Sequence, residues 1–340
     1  MVRAGLWEKE VQLLSDIIDF KAVLRITEEQ SVTGLVTAGV EKMSTGVIPL
    51  PEKLTLLGKC QLVEKRNMAM NIATLSLVKK LQEANINVLL VKGQGIAQCY
   101  ARPLWRSSSD IDFFFSKEDF HKAVELLAPL ATEKVQDAKY TKSFGLMIDG
   151  WFVELHGTLR NSLSSRMDKV IDEVQEDTFR NGNIRVWHSG GKDILMPNAD
   201  NDLFLLFTHF VRHFYKGGFT IRQLCDWCRL LWTYREEIDV ALLEERIHRA
   251  GLLGEWKSFA AMAVDYLGMP VEAMLLYDES DCWHKKGEVL LNFILKGRKP
   301  NKVRDSMFFL GQFTCNTLSF LPSIFFNVNR LKIKERLIEK

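Results

Sequence analysis

The stretch "RSSSDIDFFF", Arg106 to Phe115, decides the fold. An isoleucine and three phenylalanines belong in a core, yet two aspartates open the run. In a strand, residues i and i+2 point to the same face. Asp110 and Asp112 therefore project together, and Ile111 and Phe113 project to the opposite, packed side. Adjacent carboxylates repel one another, so a cation or water must stand in front of them. A divalent metal is the natural counter-charge, because Mg²⁺ takes one or two carboxylates plus substrate phosphates. The plain alternative is two solvated acids at a frayed strand mouth.

Three nearby features favour the metal. "VELH" places Glu154 and His156 on one face of a later strand, with Val153 and Leu155 on the other. If that strand lies beside the first, three carboxylates converge and two ions can clamp a phosphoryl transfer. "VKGQGIA" puts a strand, two glycines and a helix start in succession around Lys92 and Gly93. Amides at a helix N-terminus cradle phosphate, although such turns are also common as plain connections. "RPLWRSSSD" adds Arg102, Arg106 and serines up to Ser109, donors that suit a triphosphate tail or simply form a polar loop.

Working outward, "VLLVKG" (Val88 to Gly93) reads as a strand buried on both faces. The helix before it is expected to bury Met68, Ile72, Leu75, Val78 and Leu81 and to end at "ANIN". Ser116 and Asp119 form a potential capping box for the helix after Phe115. Asp149-Gly150 between "FGLMI" and "WFVEL" is a strong hairpin signal. "IRVWHSGG" is expected as a strand near the sheet edge, and from Asp202 onward the pattern is helical. The reading is α+β, a small mixed sheet flanked by helices plus an all-α C-terminal domain. The expected divisions are a helical region at 1–64, a catalytic domain at 65–200, a helical domain at 201–300 and a tail at 301–340.

The chain has 340 residues and a net charge of +2, which gives no global field for a long nucleic acid. Its six cysteines are scattered, and the start lacks the apolar core of a signal peptide, so a cytoplasmic setting is expected. No charge occurs from Ser306 to Asn329, but polar residues and Pro322 interrupt the run. This tail is expected to dock on the helical domain. The alternatives are a partner-binding helix pair, or attachment to the inner membrane face through the basic residues behind it.

His209 and His213 lie i, i+4 on one helix face, and "CDWC" adds Cys225 and Cys228. Zinc is one reading, but no second CxxC exists to close the site. The plain reading is a core Cys228, with histidines near a cleft. A third reading has His209, Arg222 and Asp226 lining the pocket from the helical side.

The order of strand, Gly-rich turn, helix, "SDID" and a third acid resembles the DNA polymerase β-like nucleotidyltransferase superfamily. "VKGQGIAQCYARPLWRSSSDIDFFF", "VELHG" and "HFVRHFYKGGFTIRQLCDWCRLLW" resemble a bacterial branch labelled uncharacterised nucleotidyltransferases. The resemblance covers roughly Lys65 to Trp232. It implies the polymerase β-like fold and transfer of NMP from an NTP to a hydroxyl of a small-molecule or peptide acceptor. It implies Asp110, Asp112 and Glu154 as ligands of two Mg²⁺ ions, with Mn²⁺ the alternative metal. Lys92, Gly93, Arg106 and Ser109 would hold the nucleotide, and His156, His209, Arg222 and Asp226 would line the pocket. The chain departs from the superfamily in having Gly93-Gln94 for the usual Gly-Ser or Gly-Gly pair. The seventeen residues from Gly93 to Asp110 are also a longer spacing than usual. These departures support a second function class, a non-catalytic nucleotide-binding or scaffolding protein.

Overall fold

The computed structural model describes residues 1–10, 18–43, 48–138, 143–295 and 302–313, with 316, 318 and 320. Helices α1 (Val2–Trp7), α2 (Phe20–Glu29) and α3 (Thr33–Glu41) lead into the long α4 (Leu50–Glu83). This last helix runs unbroken through positions 64 and 65. Its buried face differs from the one its apolar spacing suggests. Met68 and Ile72 are 52% and 70% exposed, while Asn67, Met70, Thr74, Leu77, Val78 and Leu81 are buried. Two of the buried positions are polar and satisfied. Asn67 Nδ2 donates to the carbonyls of Leu104 and Arg106, and Thr74 Oγ1 donates to Met70 O. A count of apolar residues alone skips such positions.

Next come β1 (Leu89–Val91), α5 (Gly93–Ala97), β2 (Asp110–Phe114) and α6 (Lys117–Leu127). Ser116 caps α6 by accepting from Asp119 N–H. The Asp119 carboxylate does not answer it; it accepts from Asn87 N–H and Lys122 instead. Then follow β3 (Glu133–Ala138), β4 (Ser143–Ile148), β5 (Trp151–His156) and α7 (Ser165–Arg180). The sheet order is β1-β2-β5-β4-β3, with β2 and β5 parallel and the other pairs antiparallel. It is a mixed sheet, as the sequence implied.

The Asp149-Gly150 turn joins β4 to β5 with φ of +49° and +77°. Paired positive φ values match the right-handed twist of a hairpin. A Cβ added at Gly150 would meet no atom within 4 Å, so only backbone strain opposes it. Gly150→Ala should therefore cost about 1–2 kcal/mol, read as a lower urea midpoint with an unchanged slope.

One sheet face carries Ile111, Phe113, Val153 and Leu155 against α4 and α6 in a continuous core. The other face is divided. Leu89, Val91 and Phe114 are buried there, with Phe114 edge-on to Phe179 of α7 at 4.9 Å. Beside them, on β2 and β5, lie Asp110, Asp112, Glu154 and His156. "IRVWHSGG" does form a strand, β6 (Ile184–Ser189), but it pairs with β7 (Lys192–Pro197) in a separate two-stranded sheet. That hairpin reaches the core through Ile194, Leu195 and Met196, so it supports the main sheet without extending its edge.

The helical half comprises α8 (Ala199–Lys216), α9 (Ile221–Tyr234), α10 (Val240–Ala250), α11 (Leu253–Leu267), α12 (Asp281–Leu295) and α13 (Lys302–Gln312). Phe207, Phe210, Trp227, Trp256 and Phe259 fill its centre. Phe309, Phe313 and Phe320 of the tail are buried in the same core, as a docked tail requires. The basic end of the chain lies outside the described residues. No helix among the described residues is long and apolar enough to cross a membrane.

Candidate active site

Register assembles the cluster. The parallel β2–β5 pair sets Asp110 opposite Phe152, Asp112 opposite Glu154 and Phe114 opposite His156. With a period of two, Asp112, Glu154 and His156 share a face. One ligand atom from each lies within 4.8 Å of the others. His156 Nε2 is 2.8 Å from Asp112 Oδ1 and 3.8 Å from Glu154 Oε2. Asp110 lines the same cavity at the strand mouth, outside this cluster, and accepts from Ser109 Oγ at 3.0 Å.

Asp112 is 3% exposed, so its charge needs local partners. Lys92 Nζ supplies one at 2.8 Å. Burial alone would push the Asp112 carboxyl up; the Lys92 ammonium and the His156 hydrogen bond outweigh it and hold it well below the usual carboxylate range. Lys92 precedes α5 with φ +59° and ψ −145°, and Gly93 follows at φ +39°. A non-glycine residue persists there only where its surroundings over-determine it. The strained turn aims the lysine across β1 onto the acid of β2.

Arg106 does not present its guanidinium to the cavity as a free anion donor. It is 4% exposed and bidentate to Asp226, Nε to Oδ1 and Nη2 to Oδ2 at 2.7 Å each, and its Nη1 donates to Ser108 Oγ. Tyr100 OH also donates to Asp226 Oδ1 at 2.7 Å, and Arg222 Nη1 to Oδ2 at 3.3 Å. This buried network joins the loop before β2 to α9. Arg222 stays at the cavity wall, with 23% of its side chain exposed.

Gln94 does not point at the cavity either. It is 2% exposed, and its Nε2 donates to Asn67 Oδ1 at 2.9 Å. Asn67 in turn holds the Leu104 and Arg106 carbonyls at 2.7 Å. The residue that breaks the usual Gly-Ser pattern thus ties the turn, through α4, to the unusually long loop. Asn67→Ala removes these bonds from buried groups and should cost about 1–3 kcal/mol, measured as a lowered melting temperature.

The cavity encloses about 290 Å³. The eleven residues that the resemblance implied line it, Asp110, Asp112, Glu154, Lys92, Gly93, Arg106, Ser109, His156, His209, Arg222 and Asp226, whereas Arg102 pairs with Glu8 and Glu41 instead. His213, already paired with His209 in the sequence, lines it too; Arg212, Lys216, Gly217 and Gly218 line it as well and were not singled out. Their signal was available: Arg212 and Lys216 lie i, i+4 on α8, and two glycines break the chain before α9. His209 Nε2 and His213 Nε2 are 3.0 Å apart. Burial, with Lys92 and His213 nearby, pushes the His209 imidazole well below its ordinary value. Cys225 and Cys228 are buried in the helical core, and burial pushes both thiols up. Neither cysteine joins a metal-sized cluster among the described residues, which removes the support for zinc.

No curated protein matches the chain. Among solved structures it is similar to an antigenic nucleotidyltransferase-like protein from Paracoccidioides brasiliensis. The two share 11% identity with a TM-score of 0.33, over 64% of this chain and 96% of that one. Residues 16–268 match the family described as uncharacterised nucleotidyltransferase. That match spans well over half of the chain, which therefore belongs to the uncharacterised nucleotidyltransferase family.

Proposed function

We propose that the chain is a metal-dependent transferase that moves an NMP from an NTP to an acceptor hydroxyl. The observation that carries this is the convergence of Asp112, Glu154 and His156 on one wall of a cavity that Lys92, Arg212, Lys216 and Arg222 also line. Two carboxylates and an imidazole suit Mg²⁺ or Mn²⁺, and the imidazole favours Mn²⁺ more than an all-oxygen set would. Asp112, Glu154 and His156 would hold one ion, and Asp110 stands where it could share a second. Bound there, the ion would neutralise charge on the reacting phosphate and polarise it. Lys92, Arg212, Lys216 and Arg222 supply positive charge along the cavity for a triphosphate.

The acceptor oxygen bonds to the α-phosphorus. The bond from that phosphorus to the bridging oxygen breaks, and its electron pair leaves with pyrophosphate. The hydroxyl proton passes to Glu154, the most exposed of the three at 18% against 4% and 8% for Asp112 and His156. A small-molecule or peptide acceptor in the cytoplasm fits the near-zero net charge better than a long nucleic acid. A membrane surface reached through the tail is the second partner we propose.

One observation favours the other function class. Lys92 seated on Asp112 answers the buried carboxylate of the cluster with a side chain, as a non-catalytic nucleotide-binding protein would permit. Each labelled NTP should be incubated with Mg²⁺ or Mn²⁺ and a metabolite extract, then assayed for pyrophosphate and NMP adducts. Release that requires metal supports the transferase. Intact NTPs in every arm, with calorimetric ATP and GTP binding indifferent to Mg²⁺, would favour the binding protein.

A further inference from the structure

The face of α4 turned away from the core carries an apolar stripe. Leu50, Leu54, Leu57, Met68 and Ile72 are between 39% and 70% exposed, although burying such side chains is favourable. At 3.6 residues per turn they fall along one side of the helix, and Gln61 and Lys65, also exposed, complete the line. Leu56, Cys60, Met70 and Leu77 occupy the side towards the core. None of the stripe residues lines the cavity.

The spacing of the stripe identifies its occupant. Positions 50, 54, 57, 61, 65, 68 and 72 are separated by steps of four, three, four, four, three and four. The pattern reads the same from either end, with Gln61 at its centre. An eleven-residue repeat stays close to the helical period, so the stripe keeps to one side over about 33 Å.

A two-fold interface sets the same patch of both copies against itself. A helix that pairs antiparallel with its own copy therefore needs such a palindrome, and a different partner does not. With Gln61 on the axis, Leu50 of one copy meets Ile72 of the other, and Leu54 meets Met68. Leu57 meets the aliphatic stem of Lys65, whose ammonium reaches water. The two Gln61 amides meet each other, and each can donate and accept.

Gly58 is an independent sign. It sits inside the helix, where glycine is less favourable than alanine. A Cβ added there would meet no atom within 4 Å, so nothing in its own chain, among the described residues, explains it. In the antiparallel register, Leu62 of the other copy lies about 3 Å along the axis from Gly58 and can fill the gap. Leu62 is itself exposed.

The area is also sufficient. At roughly 30 Å² for each apolar carbon, the five stripe side chains and Leu62 offer about 450 Å² per copy. With the apolar share of about 65% found in homodimers, the whole contact would bury roughly 1,400 Å², the size of a standard stable interface.

We propose that α4 pairs antiparallel with α4 of a second copy of this chain, about a two-fold axis at Gln61. The pairing does not depend on the transfer reaction.

Sedimentation velocity of the full chain should show a species of twice 39.1 kDa at micromolar concentration. Leu54→Lys combined with Met68→Lys sets like charges face to face and should weaken association at least about a hundredfold. Circular dichroism should be unchanged, because both positions are exposed in the single chain. Cysteine cross-linking reads the register, in a Cys282→Ser background that removes the exposed thiol. Gln61→Cys should cross-link to itself on oxidation, since the axis brings the two positions together. Leu50→Cys and Ile72→Cys should each fail alone and cross-link when mixed. Self-linking at all three positions means a parallel pair and overturns the proposal. A monomer at every concentration, or association that survives the two lysines, overturns it as well. A monomer that sediments with phosphatidylcholine vesicles, and ceases to with the two lysines, assigns the stripe to a lipid surface and likewise overturns the pairing.

Discussion

Asp112→Asn combined with Glu154→Gln should lower metal-dependent pyrophosphate release by at least about 10³-fold, equivalent to roughly 4 kcal/mol of transition-state stabilisation. The pair removes both carboxylates of the cluster that β2–β5 register assembles. It retains side-chain size, so His156 and Lys92 keep oxygen acceptors nearby. The change is confined to a cavity wall, while the opposite sheet face, Ile111, Phe113, Val153 and Leu155, still seals the core. The variant should therefore keep its helical circular dichroism and its cooperative melt. A folded variant that releases pyrophosphate at the parent rate would exclude the cluster from the reaction. Asp110→Asn alone then asks whether the strand-mouth acid adds a second ion position.

Asp226→Ala should destabilise the fold by about 3–5 kcal/mol, because it strands a buried cation. The Arg106 side chain is 3% exposed, and both of its bonds to a carboxylate go to Asp226. Tyr100 OH, buried beside them, loses its acceptor too. Thermal melts should show a large loss, and proteolysis should become faster. Replacing both partners with apolar residues, Arg106→Met and Asp226→Leu, should cost much less, since no charge is left behind. Equal losses in the single and double variants would mean that packing, not the ion pair, holds the loop.

Local rules made the sheet legible. Alternation in "DIDFF" separates Asp110 and Asp112 from Ile111 and Phe113, and Asp149-Gly150 fixes the hairpin that brings Glu154 back. They could not show what Arg106 pairs with. Its carboxylate lies 120 residues away on α9, and no periodicity encodes such a meeting. A guanidinium beside two acids looked like a phosphate donor and proved to be a strut. The buried face of α4 was misread for a related reason. Asn67 is buried to serve the loop and Gln94, so its polarity marks a structural bond rather than exposure. Arg212 and Lys216 were overlooked because charges at helical spacing usually mark a solvated face.

Lys92 has a consequence for how the fold keeps a buried acid ionised. Its ammonium is tethered 2.8 Å from Asp112, at a concentration set by the chain itself, whereas a free ion arrives only by diffusion. The Asp112 carboxylate is thus compensated by the chain itself. On the transferase proposal, chelation should silence turnover and leave the melting temperature nearly unchanged. A charge supplied by the chain in this way ties the stability of the sheet to its own sequence and not to what the surroundings provide.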